Sequence, residues 1–441
     1  MGAGRPDAAH AAEPSEDGNQ PGGAMSLSGL LTAAEAAPPV ESLDVVARML
    51  KDRFGAVSVS FLISDFSGRS VVRLGAAGSV VTSEPASRIA VSGTVYEEVI
   101  RTQRPKVEDD GAGASRILAP VTNRGDAIGL LELFLPAGPG PGPEMMRGIS
   151  EAAHALAYIV IANRPFTDVY QWGRRTVPLN LAAEIQHRLL PESLACEAAQ
   201  FALAGALEPA DHVGGDTFDY VVDRETVELS VTDAMGHDVN AALLATVAIG
   251  ALRRVRRAGA DLAEQAREAD QTVRDHGDRG YVTGQLLRVN LFDGRTEFVN
   301  AGHPWPLRMR DGQVRQLVPE IDLPFGLSIR DASPHAYRVQ ELDLRPGDRL
   351  VMLTDGMLER NAKEIDLPDL IVRTRALHPR EAARSLIGAI VEASHGHLLD
   401  DATVMCLDWR GFAHSRHDAA TGADLTDASR PSDEAESTVG R

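Results

Sequence analysis

Four aspartates share one local pattern. Asp216 follows Val213-Gly214-Gly215. Asp233 stands in Thr232-Asp233-Ala234-Met235-Gly236-His237, after the β-type run Val227–Val231. Asp355 stands in Thr354-Asp355-Gly356, after Leu350–Leu353. Asp400 stands in Leu398-Leu399-Asp400-Asp401-Ala402-Thr403, ahead of Val404–Asp408. Strand ends are rigid, and small neighbours let backbone approach closely. One such aspartate is an ordinary turn residue. Four brought together repel one another, and hard divalent cations relieve the repulsion. Two ions about 3.5–4 Å apart lower the pKa of a water between them and stabilise in-line displacement at phosphorus. The expectation is therefore a site of Asp216, Asp233, Asp355 and Asp400 holding two Mn²⁺ or Mg²⁺ ions.

Other chemistries have less support. Neither Cys196 nor Cys406 has an arginine six positions on, so a cysteine-phosphatase loop is absent, and no G-x-S-x-G elbow occurs. Only three lysines are present, and none follows a glycine-rich run as a phosphate loop requires. His237 and His303 could act as acids near the aspartates. His303 reads first as a structural residue of the turn Asn300–Pro304, and His237 stays open between the two roles. Arg253, Arg254, Arg256 and Arg257 crowd the end of a helix, either as a solvated face or as a phosphoprotein-docking patch.

Composition sets outer bounds. The chain has 441 residues and a formal charge of −19, which argues against nucleic-acid binding. Residues 200–411 carry −10 of that charge. Two cysteines exclude a disulfide framework. No apolar run approaches the about 18 residues that span a bilayer, and the N-terminus lacks a signal pattern, so a cytoplasmic location is expected.

The elements that must position the aspartates divide the chain. Residues 1–38 and 412–441 are rich in Ala, Gly, Pro, Ser and acids, and are expected to be disordered tails. Residues 41–163 read as helix, hairpin (Val57–Ile63 and Val71–Leu74), helix near 92–101, two strands (Ile117–Val121 and Ile128–Leu135) and a final helix: an α+β unit with an antiparallel sheet. Residues 164–194 form a linker whose helix shows Leu181, Ile185 and Leu189 as one apolar stripe, ended by Pro191. It reads as a cap on the next domain or as a signal-carrying dimer contact. Residues 195–410 hold the aspartates.

The first unit, with its segment RILAPVTNRGDAIGLLELF, resembles a GAF domain, which implies a sensor for an unidentified ligand or partner. The ordered set VGGD, TDAMGH, VNAGHPWPL, DLPFGL, GDRLVMLTDGMLE and DDAT resembles the PPM-type metal-dependent Ser/Thr phosphatases, in the SpoIIE/RsbU-like bacterial branch, and LAAEIQHRLLP is similar to the helix before their catalytic domain. That resemblance implies an α/β/β/α sandwich following the GAF-like domain. It implies that Asp216 bridges both metals, that Asp233 is a core ligand with the carbonyl of Ala234 beside it, and that Asp355 and Asp400 complete the set. Glycine is usual where Ala234 stands. Asp401 is a hydrogen-bonding neighbour, or the ligand itself if the register slips by one. The activity implied is removal of phosphate from protein serine or threonine. The implied substrate is a phosphorylated STAS-type anti-sigma-factor antagonist, and a homodimer is possible. The rival expectation is a catalytically silent signalling module of the same fold.

Overall fold

The computed structural model describes residues 27–74, 88–109, 111–176, 179–210, 214–236, 238–276, 280–327, 336–358, 365–411 and 422–423. His237 and Val213 lie outside them.

Apolar periodicity builds the N-terminal unit. Helices α1 (Leu27–Ala36) and α2 (Ser42–Phe54) lead into β1 (Ser58–Ser64), β2 (Ser70–Leu74), β3 (Arg88–Ala90), α3 (Val95–Thr102), β4 (Lys106–Asp109), β5 (Ser115–Asn123), β6 (Asp126–Leu135) and α4 (Pro143–Asn163). The strands form one sheet in the order β3-β2-β1-β6-β5-β4, antiparallel throughout. Leu50, Ile63, Leu133 and Val160 anchor the core under α1, α2 and α4, while Leu62, Val99, Leu118 and Leu130 bury the opposite face under α3. Helix α1 falls inside the stretch expected to be a tail. Leu30 and Ala34 explain the difference: both are buried against α2 and α4, so ten residues of alanine-rich chain gain enough apolar contact to order. The C-terminal expectation is also corrected at Gly422 and Ala423. The Gly422 carbonyl accepts from the Gly125 amide at 2.9 Å, and Ala423 is buried.

The linker is broken rather than one helix: a 3₁₀ turn at Arg164–Phe166, then α5 (Val169–Arg174) and α6 (Leu181–Leu189). Asn180 caps α6 by accepting from the Ala183 amide at 2.8 Å. The Leu181 stripe is not the buried face. Leu181 is 63% exposed, and Ala182, Ala183 and Gln186 face inward instead. Ala182 packs against Gly214, where an added Cβ would lie 2.9 Å from the Ala182 Cβ, so this contact is made between small residues.

Two stacked sheets make the C-terminal unit. Strands β7 (Ala195–Ala198), β8 (Phe201–Glu208), β9 (Asp216–Val222) and β10 (Thr226–Ala234) precede helices α7 (Val239–Arg257) and α8 (Leu262–His276). Then follow β11 (Val282–Asn290), β12 (Thr296–Ala301), β13 (Leu307–Arg310), β14 (Gln313–Gln316), β15 (Gln340–Leu342), β16 (Asp348–Leu353), α9 (Leu367–Arg373), α10 (Pro379–Ala393) and β17 (Ala402–Trp409). One sheet runs β15-β12-β11-β10-β9 and the other β14-β13-β16-β17-β8-β7. Phe201, Phe218, Phe298 and Trp409 fill the space between them. Helices α7 and α8 cover the first sheet with Ala245, Ile249, Leu252 and Val273, and α9 and α10 cover the second with Ile371, Leu386 and Ile390. The layers are α/β/β/α, as expected. The arginines of α7 are not a free docking patch: Arg253 and Arg256 both bind the buried Asp219, at 2.8 and 3.0 Å, and Arg254 pairs with Glu268.

Candidate active site

All four expected aspartates lie at one end of the sandwich. Asp216 opens β9 and pairs in register with Asp233 near the end of β10. In the facing sheet, Asp355 follows β16 and Asp400 precedes β17, where Leu353 pairs with Val404. The two sheets thus bring together residues up to 184 positions apart in the chain.

Glycines make the approach possible. A Cβ at Gly215 would lie 2.5 Å from the Ala234 carbonyl oxygen and 3.3 Å from Asp233 Oδ1. A Cβ at Gly356 would lie 1.9 Å from the Asp401 carbonyl oxygen. Backbone therefore occupies the space a side chain would need at both motifs. Ala234 is itself buried, and its amide donates to Gly215 at 3.1 Å.

Electrostatics mark the cluster. Burial pushes the Asp216 carboxyl well above its ordinary range, and the negative charges of Asp233 and Asp401 push it further, against the hydrogen bond from Thr354. Thr354 Oγ1 donates to Asp216 Oδ2 at 2.7 Å. Asp233 rises to about 7, first through burial and then through Asp355, Asp400 and Asp401. No basic side chain figures among these influences. Buried acids that raise one another, with oxygen donors only, are the donor set a hard divalent cation satisfies, so the residues fit the expected ions. Among the described residues, no three His, Cys, Asp or Glu side chains stand close enough as placed to make a ligand shell.

Asp400 and Asp401 differ in surroundings. Asp401 is buried, and its oxygens are occupied: Oδ1 accepts from the Ala210 amide at 3.0 Å and Oδ2 from Gln186 Nε2 at 2.5 Å. Asp400 is half-buried and accepts from the Asp401 amide. His303 is buried. Its Nδ1 lies 2.8 Å from Thr283 Oγ1, its amide donates to Asn300 Oδ1, and burial lowers it to about 3. It therefore stays neutral and braces the turn. Sequence reasoning missed Gln186, whose Nε2 also donates to the Asp216 carbonyl at 2.8 Å. A glutamine on an amphipathic helix carries no signal of that role until the helix is docked.

Part of this chain is similar to known proteins. Residues 223–410 match the family model described as Stage II sporulation protein E (SpoIIE). The span includes Asp233, Ala234, Asp355, Asp400 and Asp401, while Asp216 lies just ahead of it. The phosphoserine phosphatase RsbP of Bacillus subtilis is 25% identical over 190 residues, covering 42% of this chain and 46% of that protein. The phosphoserine phosphatase RsbU of the same organism is 21% identical over 237 residues, covering 52% of this chain and 69% of RsbU. The chain thus matches about half the length of RsbP. A crystal structure of the RsbU and RsbW domains of Rv1364c from Mycobacterium tuberculosis covers 49% of this chain and 62% of that one, at 23% identity and a TM-score of 0.44. Residues 223–410 of this chain thus match the SpoIIE family model, and part of the chain is similar to the phosphoserine phosphatases RsbU and RsbP.

Proposed function

We propose that this protein is a Mn²⁺- or Mg²⁺-dependent protein serine/threonine phosphatase. The observation that carries the reading is the aspartate cluster at one end of the sandwich, where burial and mutual repulsion raise Asp216 and Asp233. Asp216, Asp233, Asp355 and Asp400, with the carbonyl of Ala234, would hold two ions. Bound there, the ions would supply charge stabilisation at phosphorus and lower the pKa of the attacking water. The chain's own part is positioning. Thr354 orients Asp216, Gln186 and the Ala210 amide hold Asp401 in place, and Gly215 and Gly356 let the two motif backbones close up. Water adds to phosphorus, the bond to the serine or threonine oxygen breaks, and the hydroxyl side chain is released with inorganic phosphate.

The substrate we propose is a phosphorylated STAS-type anti-sigma-factor antagonist. Its support is that the matched relatives are named as phosphoserine phosphatases. The N-terminal unit would be a GAF-like sensor, supported by its six-stranded antiparallel sheet with helices on both faces. No helix among the described residues is long and apolar enough to cross a membrane, and the cytoplasm is the proposed location. Asp216→Asn and Asp355→Asn should each abolish Mn²⁺-dependent release of phosphate from phosphoserine protein. Full hydrolysis in chelator would overturn the mechanism, and equal rates on unrelated phosphoproteins would overturn the substrate.

A second reading has one observation in its favour: among the described residues, no three His, Cys, Asp or Glu side chains form a ready ligand shell. On it, the fold is a silent signalling module. Calorimetric titration with Mn²⁺ separates the two: the silent module takes up no metal, or takes it up without turnover.

A further inference from the structure

The junction between the two units holds two arginines that feel Asp126, Glu192 and Asp65 nearby but, among the described residues, hydrogen-bond no carboxylate. Arg164 lies in the 3₁₀ turn after α4, and Arg174 ends α5. Both line a partly open cavity of about 40 Å³ between the N-terminal unit and β8, together with Arg380, Arg384, Asp65 and Asp126. Four of the charged residues in that wall are cationic and two anionic. The other charges are already engaged. Arg380 and Arg384 share Glu381, at 2.8 and 3.3 Å. Asp65 accepts from Ser67 Oγ at 3.0 Å, the Ser70 amide at 3.2 Å and Thr176 Oγ1 at 3.0 Å. Asp126 accepts from Ser193 Oγ at 3.0 Å.

Arg164 and Arg174 are left over. Arg164 Nε is buried without a hydrogen-bond acceptor, and Nη1 has only a 3.4 Å contact with the Glu192 carbonyl. The Arg174 guanidinium lies 4.3 Å from the Phe66 ring centre, which satisfies its face but none of its N–H groups. Burial holds both below the ordinary arginine range, and Arg164 depresses Arg174 further, to about 10. Both side chains are half-buried, and a guanidinium drawn partly out of water gains when an anion accepts from its unused donors. Guanidinium forks match the geometry of oxyanions. A cavity of about 40 Å³ has room for a few waters or one tetrahedral oxyanion.

We propose that this junction cavity is an oxyanion site, in which Arg164 and Arg174 hold a phosphate- or sulfate-type group between the sensor-like unit and the phosphatase domain. The occupant is a free oxyanion, or the phosphoryl end of a larger molecule whose body lies in the open hollow beyond the same two arginines. The site is independent of the aspartate cluster, so it stands or falls separately from the proposed activity.

The test is calorimetry and thermal shift on the full chain in chelator, which removes divalent-dependent phosphate binding at the aspartates. Inorganic phosphate and sulfate are compared with chloride at matched ionic strength. One-to-one saturable binding is expected, with a Kd of about 1 mM or tighter. Arg164→Gln and Arg174→Gln should each weaken it at least about tenfold. Arg188→Gln, whose side chain is 68% exposed at the outer hollow, should leave inorganic phosphate binding unchanged. Free phosphoserine binding tighter than inorganic phosphate would support the site and assign a larger molecule to it. Weaker binding would support the site and assign the free ion. No saturable binding in the wild-type chain, or equal binding in Arg164→Gln, would overturn the proposal. Should Arg174→Gln fail to fold, those two measurements still decide.

Discussion

Asp233 and His303 titrate in opposite senses, and the contrast separates the cluster from its bracing. Asp233 sits at about 7 in the fold against an ordinary value of about 3.9. Between those values the native chain holds a proton that the unfolded chain has lost. Without metal, this aspartate therefore makes the fold less stable as pH rises from about 4 to 7. His303, held at about 3 against about 6.5, acts the other way: the unfolded chain takes the proton first, and stability falls as pH drops from about 6.5 toward 3. Asp233→Asn in chelator should lose less stability than wild type on going from about pH 4 to 7. His303→Gln should lose less on going from about pH 6.5 toward 4. Urea midpoints across pH measure both, and parallel curves for wild type and variant would refute the assignment.

At the scale of elements, the site depends on backbone contacts between turns. Gly356→Ala would drive a Cβ into the Asp401 carbonyl, where neither turn can give way without moving the aspartates on either side. The expected cost is about 1–3 kcal/mol, read as a lower melting temperature, together with weaker Mn²⁺ uptake by calorimetry. Helix α6 works at the same scale. It lies on the loop before Asp216 through Ala182 and reaches Asp401 through Gln186. On its other side, His187 stacks on Phe66 of the N-terminal unit at 4.3 Å between ring centres. One short helix therefore touches both the first unit and the aspartate cluster. Gln186→Leu should destabilise the fold by about 1–3 kcal/mol, because it leaves an oxygen of buried Asp401 short of a donor. Gln186→Glu should cost more, since it adds a further acid to a corner already crowded with carboxylates. Chemical denaturation of both variants checks the order.

The whole molecule is held together by contacts that cross the junction. Arg380 donates to the carbonyls of Gly125 and Ile100, Ser193 holds Asp126, and Glu197 donates its amide to the Arg124 carbonyl at 3.0 Å. Gly422, from beyond the last strand, completes the ring on Gly125. Ending the chain after Gly411 should speed hydrogen exchange at the Gly125 amide, by the loss of a bond worth about 1 kcal/mol net. Unchanged exchange would show that this contact does not protect the junction. Metal acts on the molecule as a ligand of the native state only. Mn²⁺ at about 100 times its Kd should raise stability by about 2.7 kcal/mol, and Asp355→Asn should remove most of that gain.

The amino-acid sequence by itself determined the motifs and the layers. Alternation and helical spacing are local properties, so the antiparallel N-terminal sheet and the four strand-end aspartates were legible before any contact was known, while the sandwich was implied only by the family resemblance of the ordered motifs. Asp216 and Asp355 each stand beside a glycine in the sequence, Asp233 and Asp400 beside an alanine and an aspartate. Only the tertiary structure decided what those residues meet. Leu181, Ile185 and Leu189 formed the better apolar stripe, yet α6 buries its alanines and Gln186, with Ala182 set closely against Gly214. The α7 arginines read as surface, yet two of them bind buried Asp219. Asp400 and Asp401 are chemically identical neighbours, and only the placement of Ala210 and Gln186 makes one of them a satisfied acceptor. Arg164 and Arg174 carried no signal at all, since a cavity between two units exists only once both are folded and docked.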